Sequence, residues 1–315
     1  MTDLRIVFMG TPEFAVTILD SLLQQNYTVV GVITAPDKPA GRGRKVHTSA
    51  IKQYAEAKNL PILQPTNLKN PEFLAQLKSL KANLQIIVAF RMLPKVVWQM
   101  PEYGTFNLHA SLLPQYRGAA PINWAIINGE TETGVTTFFI DDKIDTGEII
   151  LNSKIAITKE ENAGVLHDKL MHLGADLVLK TIKLIEENAV NTKKQVDTAA
   201  LKLAYKIHKD TCKIDWSQDI NTTYNLIRGL SPYPAAWTTL YNDDAGTTIK
   251  IYATEIENTV HNLEIGSLVF DKKTIKVAVP NGYLNVLELQ LSGKRRMKTI
   301  DVLNGLQLKE TAYLS

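Results

Sequence analysis

The chain has 315 residues, of which 45% are apolar and 21% charged, and its formal net charge is +3. These values are typical of an ordinary globular protein of about two domains, and the charge is too small to indicate nucleic-acid binding by itself. The single cysteine, Cys212, excludes an internal disulfide and a cysteine-cluster metal site. Because no apolar stretch approaches membrane-spanning length and the N-terminus lacks a signal-peptide layout, we expect a cytoplasmic protein.

The first half of the sequence alternates strand-like and helix-like segments. Apolar runs with β-branched residues predict strands at Leu4–Met9 and Tyr27–Thr34. Helical spacing predicts a helix at Phe14–Leu23 between them, with Thr11 as its cap and Pro12 at its first position. The remaining predicted elements of this half are a helix at Ser49–Lys58 and strands at Leu84–Ala89, Gly104–Leu108, Val135–Ile140 and Ile149–Ile157. This alternation predicts a doubly wound α/β domain with a mostly parallel sheet.

The turn after the first strand argues against a bound nucleotide cofactor. Gly10 is the only glycine of Gly10-Thr11-Pro12, where a dinucleotide fingerprint needs three. Neither a Walker A pattern nor a His-Glu metalloprotease motif occurs in the sequence. We therefore expect the α/β domain to bind neither NAD nor ATP.

Polar residues at the end of one predicted strand form the strongest candidate site. Asn107 and His109 are two residues apart, so they point to the same face of a strand. The loop that follows is where open α/β sheets place their ligands. Asp145 follows a neighbouring predicted strand and could reach His109, setting its tautomer or its charge. Taken singly, such a histidine is more often a packed residue, and Asp145 an acidic turn residue.

The second half of the sequence begins with a helix that closes the α/β domain. Four leucines form its apolar stripe: Leu166, Leu170, Leu173 and Leu177. His167 and His172 are five residues apart and therefore make a poor metal pair. The polar stretch Asn188–Ala204 predicts a linker, so we expect domains at 1–188 and 205–315 with a linker at 189–204.

Short strands dominate the region beyond the linker. They are predicted at Ile249–Thr254, Gly266–Val269, Ile275–Ala278 and Leu284–Leu291, separated by turns rich in Gly, Asn and Lys. Several short strands with little helix predict either a small β-barrel or a sandwich. The sequence pattern alone does not distinguish the two.

Together, Asn107, His109 and Asp145 resemble the catalytic set of the folate-dependent formyltransferases. The resemblance includes the first strand and turn, Ile6–Ala15, and is closest to the branch of the family that acts on methionyl-tRNA. It runs nearly the length of the chain and implies that the C-terminal domain is an OB-like, tRNA-binding barrel. Lys143 and Arg91 depart from the family pattern, because relatives more often carry glycine at both positions.

Formyl transfer from an amide-like nitrogen to an amine has three chemical requirements. The incoming amine must be neutral, the oxyanion of the tetrahedral intermediate must be stabilised, and the leaving nitrogen must be protonated. We assign the oxyanion to the Asn107 amide, proton transfer to His109, and orientation and charge to Asp145. No metal is required.

The resemblance also implies two binding regions. It places 10-formyltetrahydrofolate against Phe90 and four loop residues: Ser111, Leu112, Leu113 and Pro114. It places initiator tRNA against a basic loop with flexible glycines, through Lys38, Arg42, Arg44 and Lys45. A second basic cluster, at residues 294–298, would extend that surface. Without the family match, the first basic run would more often be a solvated surface, and the second could be merely a soluble turn.

The sequence therefore predicts a monomeric transferase that moves a formyl group from 10-formyltetrahydrofolate to the α-amino group of methionyl initiator tRNA, for translation initiation. A formyltransferase with a nucleotide or amino-sugar acceptor is the nearest alternative. An RNA-binding module whose α/β half has lost catalysis is the second. The tripeptide Asp145-Thr146-Gly147 matches aspartic proteases, but it occurs once and those enzymes need paired carboxylates, so we exclude that class.

Overall fold

Buried strands form the centre of the first half of the protein. The structure is a computed structural model and describes residues 3–40, 45–242 and 245–315. The elements up to residue 186 are β1 (Arg5–Gly10), α1 (Glu13–Gln24), β2 (Thr28–Ile33), β3 (Lys38–Ala40), β4 (Lys45–His47), α2 (Ala50–Ala57), β5 (Ile62–Leu63), α3 (Pro71–Ser79), β6 (Leu84–Val88), α4 (Lys95–Trp98), β7 (Thr105–His109), β8 (Arg117–Gly118), α5 (Pro121–Ile127), β9 (Glu132–Phe139), β10 (Ile149–Ala156) and α6 (Ala163–Glu186). Residues 6–10 of β1 are all buried, as expected for a strand covered on both faces of its sheet.

A seven-stranded sheet organises the first of two compact units, which comprises Met1–Gly118, Thr133–Ile155 and His167–Leu203. Its strand order is β10-β9-β7-β6-β1-β2-β5. Strands β5, β2, β1, β6 and β7 are parallel, whereas β9 is antiparallel to β7. This confirms the predicted doubly wound, mostly parallel α/β fold.

The ends of the first two helices differ slightly from their predicted positions. Helix α1 begins at Glu13, and Pro12 is its N-cap residue, without a side-chain cap bond, instead of its first helical residue. Thr11 therefore lies outside the helix. Helix α2 begins one residue later than predicted because Ser49 caps it, accepting a hydrogen bond from the Lys52 N–H.

Antiparallel strands form most of the second compact unit, which comprises Ala119–Glu132, Ala156–Leu166 and Ala204–Ser315. The elements from residue 203 onwards are β11 (Leu203–Ala204), a 3₁₀ turn (Asp210–Cys212), α7 (Ile220–Leu230), β12 (Ala236–Tyr241), β13 (Gly246–Glu257), β14 (Leu268–Phe270), β15 (Ile275–Val279), β16 (Gly282–Leu291), β17 (Met297–Lys298), α8 (Thr299–Leu303) and β18 (Tyr313–Leu314). Six strands follow the order β14-β15-β16-β13-β12-β18, and β17 pairs with β16. The four strands predicted here correspond to β13 to β16.

The two ends of this antiparallel sheet meet. The Leu314 N–H donates to the Gly266 carbonyl at 2.9 Å, and Ser267 forms an antiparallel bridge with Tyr313. The sheet is thus a nearly closed barrel, which decides between the two architectures that the sequence left open. Gly266 has a φ of +87°, and a Cβ there would lie 2.3 Å from the Leu314 carbonyl oxygen, so the close approach depends on glycine.

Two stretches from the first half of the chain pack with helix α7 in this second unit. The Asn123 Nδ2 donates to the Gly229 carbonyl at 2.7 Å. The Arg228 guanidinium is nearly buried and donates to the carbonyls of Thr158 and Glu161, at 3.2 and 2.9 Å. Burial lowers the pKa of Arg228. The domain boundaries at 188 and 204 stay a prediction, and the packing places earlier segments with the C-terminal region.

Candidate active site

Strand β7 carries Asn107 and His109 on one face, and His109 is buried. Its Nε2 lies 2.8 Å from the Tyr116 carbonyl oxygen. A carbonyl only accepts hydrogen bonds, so Nε2 carries the proton, and the Nδ1 of the neutral ring has the free lone pair. The tautomer of His109 is therefore set by the backbone of the loop that follows β7.

Asp145 lies on the turn between β9 and β10 and faces the other ring nitrogen. Its Oδ2 is 3.7 Å from Nδ1 of His109, and the two side chains are only 14% and 8% exposed. The same oxygen accepts a hydrogen bond from the Gly118 N–H at 2.9 Å. A 3.7 Å separation is too long for a hydrogen bond, but it places the carboxylate opposite Nδ1, the nitrogen that gains a proton when the imidazolium forms.

The register of the sheet explains how Asp145 comes to this position. Phe139, the last residue of β9, pairs with Phe106 near the start of β7, whereas His109 pairs with Thr136. The turn after β9 must therefore reach back along β7 for its carboxylate to face His109. Because β9 is antiparallel to β7, the C-terminal end of β9 lies beside the start of β7 and not beside His109. Asp145 therefore does not reach the site directly from the end of a neighbouring parallel strand.

Asn107 has unused hydrogen-bonding capacity. Its Oδ1 is buried and has no hydrogen-bond partner among the residues that the structure describes. An unpaired buried polar atom costs about 1–3 kcal/mol. Such a cost is compatible with a side chain whose partner is a substrate.

The loop after β7 is held by hydrogen bonds within it and from strand β9. The Ser111 Oγ donates to the Gln115 carbonyl at 2.7 Å, and the Thr136 Oγ1 donates to the Ser111 carbonyl at 2.7 Å. Of the predicted folate contacts, Ser111 and Leu113 are buried, whereas Leu112 and Pro114 are half-buried. The Leu113–Pro114 peptide bond is cis.

Phe90, the remaining predicted folate contact, follows strand β6 and is half-buried. The Arg91 guanidinium lies 5.6 Å from the centre of its ring. Arg91 also donates to the carbonyls of Thr66, at 3.1 Å, and Pro65. This unusual residue thus ties the end of β6 to the loop after β5, and burial lowers its pKa.

The predicted tRNA-contacting loop corresponds to an antiparallel hairpin, β3–β4. Lys38 pairs in register with His47, and Ala40 pairs with Lys45. Arg42 and Arg44 lie outside the described residues. In the second basic cluster, Arg296 pairs with Glu288 and lies 4.6 Å from the ring centre of Tyr252.

Three groups around the site were not predicted from the sequence. Two are backbone groups, the Tyr116 carbonyl and the Gly118 N–H, and no side-chain pattern could have indicated them. The third is Gln195, whose side chain contacts the Asp145 turn. It lies in the stretch that the sequence predicts to be a linker.

The described residues contain neither a metal cluster nor a membrane-spanning helix. Over the described ranges, no group of three or more His, Cys, Asp and Glu side chains is arranged to hold a metal ion. Among the helices of the same residues, none combines the length and apolar character needed to cross a membrane.

Family comparisons match both halves of the chain. The formyl transferase family matches residues 4–182, and the formyl transferase C-terminal domain family matches residues 206–307. Residues 183–205, which include Gln195, lie between the two matched ranges.

Several curated proteins align over essentially their whole length. The chain is 62% identical over 312 residues to the methionyl-tRNA formyltransferase of Flavobacterium johnsoniae, covering 99% of each chain. It is 61% identical over 315 residues to that of Flavobacterium psychrophilum, covering 100% of each. With that of Bacteroides fragilis the identity is 56% over 313 residues, covering 98% of this chain and 97% of the relative.

Solved structures share the fold at low sequence identity. The N-formyltransferase from Helicobacter canadensis, in complex with folinic acid and dTDP-3-aminofucose, has a TM-score of 0.64 at 20% identity, covering 93% of this chain and 100% of that one. HypX from Aquifex aeolicus in complex with tetrahydrofolic acid has a TM-score of 0.66 at 16% identity, covering 98% of this chain and 49% of HypX. At such identities the similarity concerns the fold alone.

Proposed function

The chain belongs to the formyl transferase family, and we propose that it transfers the formyl group of 10-formyltetrahydrofolate to the α-amino group of methionyl initiator tRNA. The observation that carries this proposal is the 62% identity, over 99% of both chains, with a methionyl-tRNA formyltransferase. The product is the formylated aminoacyl-tRNA used for translation initiation. We propose that the active species is a monomer.

The proposed role of Asn107 is to stabilise the oxyanion. Its side-chain N–H would donate to the formyl oxygen as that oxygen becomes negative, a contribution typically worth roughly 2.7–4 kcal/mol. Its position supports this role, because it shares a strand face with His109. Its Oδ1 is buried without a partner among the described residues, so the acceptor end of the amide is available to a donor group of the substrate.

The proposed proton acceptor is Nδ1 of His109, since the Tyr116 carbonyl keeps the other ring nitrogen protonated. The neutral amine attacks the formyl carbon, Nδ1 takes a proton from that nitrogen as the new C–N bond gives it a positive charge, and the Asp145 carboxylate stabilises the resulting imidazolium. The proton then passes to the leaving nitrogen while its bond to the formyl carbon breaks. His109 returns to its neutral form, and no net proton is gained or lost by the protein.

The folate co-substrate would be held by the loop after β7 and by the end of β6. The half-buried side chains of Leu112, Pro114 and Phe90 are the accessible apolar surfaces of this set. Ser111 and Leu113 are buried, so their proposed contribution is to hold the loop backbone in the shape that contacts the pterin. Backbone donors and an apolar slot suit a flat heterocycle.

For the acceptor we propose that the basic hairpin contacts the tRNA. Lys38, Arg42, Arg44 and Lys45 would pair with phosphates of the acceptor stem, and Arg42 would make the main contact. The names of the full-length relatives support tRNA as the acceptor, and the choice of this hairpin rests on its basic residues. Formyl transfer to a sugar or nucleotide, and not to tRNA, would overturn this assignment.

The test is formyl transfer from 10-formyltetrahydrofolate to charged initiator tRNA, with charged elongator methionine tRNA as the matched control. We expect product on the initiator only, and undiminished activity of enzyme that was treated with EDTA and freed of the chelator before the assay, because no proposed step assigns a role to a metal. Absence of product on both tRNAs, with folate still bound, would indicate a small-molecule acceptor. Equal product on both would refute selection of the initiator.

A further inference from the structure

The backbone of Asp145 adopts a conformation that needs support from outside its own turn. Its φ is +55°, in the left-handed region that residues other than glycine rarely occupy. The carboxylate direction depends on this backbone, because Oδ2 must face both the Gly118 N–H and His109. Whatever holds the turn therefore also holds the carboxylate.

One side chain bridges this turn. The Gln195 Nε2 donates to the carbonyls of Asp145, at 2.9 Å, and Gly147, at 2.7 Å. The backbone nearby is paired as well, since Lys193 forms an antiparallel bridge with Ile149. Continuing that register by two residues places Gln195 opposite Gly147. A single backbone bridge at Lys193 therefore fixes the chain two residues before Gln195 beside the start of β10.

The orientation of the Gln195 amide is fixed by a buried arginine. The Arg117 Nε and Nη2 both donate to the Gln195 Oε1, at 3.0 and 2.8 Å. A guanidinium cannot accept hydrogen bonds, so the amide oxygen must face Arg117 and its nitrogen must face the two carbonyls. The Arg117 Nη1 also pairs with Asp197 at 2.8 Å, and Arg117 itself is 8% exposed.

The residues on either side of Arg117 contact the two ionisable groups of the site. The Tyr116 carbonyl accepts from His109, and the Gly118 N–H donates to the Asp145 carboxylate. Three consecutive residues therefore set the His109 tautomer, anchor the Asp145 side chain and, through Gln195, hold the Asp145 backbone.

We infer that Gln195 is a positioning residue, which keeps the Asp145 carboxylate opposite Nδ1 of His109 by holding the Asp145–Gly147 turn against Arg117. This inference rests on the proposed function. Gln195 lies in neither of the two ranges matched by the formyl transferase families, 4–182 and 206–307. The inference concerns the side chain of Gln195 alone, through its hydrogen bonds to the Asp145 turn and to Arg117.

The first test compares Gln195→Ala with Val196→Ala, its exposed neighbour. Gln195→Ala should lower kcat for formyl transfer by about 10- to 100-fold, as expected for a displacement of about 1 Å at the site. Both KM values should stay close to wild type, because substrate binding does not use this residue. Val196→Ala should behave as wild type. A wild-type kcat in Gln195→Ala would overturn the inference.

Gln195→Glu separates hydrogen-bond donation from the filling of space. The carboxylate has a similar shape and accepts from Arg117, but when ionised it cannot donate to the two carbonyls. We expect no rescue of kcat in this variant. Full activity in Gln195→Glu would show that the bridge to the carbonyls is not needed.

A double-mutant cycle tests whether Gln195 acts through Asp145. In the Asp145→Asn background, Gln195→Ala should cause little further loss of kcat, because the group that it positions is already disabled. Multiplicative losses would show that the two residues act independently. A merely structural role predicts the multiplicative result.

Hydrogen exchange provides a readout that does not depend on the reaction. The Gly118 amide donates to the Asp145 carboxylate, so Gln195→Ala should speed its exchange, whereas Val196→Ala should not. If the Gly118 amide of Gln195→Ala exchanged as slowly as in the wild-type protein, the inference would be wrong, even if the wild-type protein catalyses formyl transfer. Accelerated exchange together with an inactive wild-type protein would instead refute the proposed function alone.

Discussion

Replacing Gly147 by alanine tests how closely the proposed reaction depends on the position of the Asp145 turn. A Cβ at this residue would lie 1.7 Å from the Phe139 carbonyl oxygen, whereas real Cβ contacts essentially never fall below 3.0 Å. The turn and the end of β9 would therefore separate by about 1.3 Å, the difference between those two distances. Neither atom is at the end of a flexible side chain, so the backbone itself must move.

The movement would change the pair formed by Asp145 and His109. Their side chains are 3.7 Å apart, and a shift of about 1 Å at a reacting centre can lower a rate by about 100-fold. That loss corresponds to roughly 2.7 kcal/mol of barrier. Substrate binding should change much less, because Gly147 is not one of the proposed contacts to folate or tRNA.

The assay is kcat for formyl transfer at saturating folate and initiator tRNA, with thermal unfolding measured in parallel. Gly305→Ala is the control, since a Cβ there would meet nothing within 4 Å. We expect a fall in kcat for Gly147→Ala alone. Wild-type kcat in that variant would refute the reasoning, because it would show that the Asp145 carboxylate tolerates displacement.

Three further predictions concern the site, the acceptor and the barrel. His109→Ala should lower kcat by about 10²–10⁴-fold with initiator-tRNA affinity nearly unchanged in a binding assay; a large loss of affinity would mean that the site is misplaced. Arg42→Ala should weaken tRNA binding and reduce by about 1 the slope of log binding constant against log salt concentration, with the KM for folate unchanged. An unaltered slope would indicate that Arg42 is a solvated surface residue without a phosphate contact. Gly266→Ala should lower the melting temperature, because its Cβ would lie 2.3 Å from the Leu314 carbonyl oxygen. Gly293→Ala shares a positive φ of +73° but meets nothing within 4 Å, so equal losses in both variants would exclude the clash as the cause.

Periodicity predicted the parts of this protein whose pattern is local. The buried run of β1 and the two-residue spacing of Asn107 and His109 follow directly from strand geometry. The stripe of leucines likewise predicts α6, which the structure extends over Ala163–Glu186. In each case the residues that decide the structure are neighbours in sequence.

Helix α7 was not predicted because the region beyond the linker was interpreted as short strands with little helix. Thr223 and Tyr224 lie within it, and β-branched and aromatic residues lose rotamer freedom in helices. The helix is stabilised instead by the Asp219 cap, which accepts from the Asn221 N–H at 2.9 Å, and by burial of Ile227 and its neighbours in the barrel core. The Asp219 cap and the stripe formed by Ile220, Thr223, Ile227 and Leu230 are helical signals in the sequence itself.

The contacts of Gln195 were not predictable for a different reason. Its partners Asp145 and Arg117 are 50 and 78 residues away in the chain, and its own surroundings are polar, as in a linker. The hydrogen bond from His109 to the Tyr116 carbonyl could not be predicted either, since any residue type would supply the same backbone carbonyl. Long-range side-chain bonds and backbone acceptors leave no periodic trace in a single sequence.

Helix α7 has a consequence for the exchange of parts between relatives. Its Arg228 and Gly229 bond to Asn123, Thr158 and Glu161, all far upstream of residue 204. A chimera joined at that residue would inherit the helix from one parent and its partners from the other. Recombination should therefore yield stable hybrids more readily when 119–132 and 156–166 are transplanted together with 204–315. Functional exchange of the second unit would therefore require three separate stretches of the gene to be replaced together.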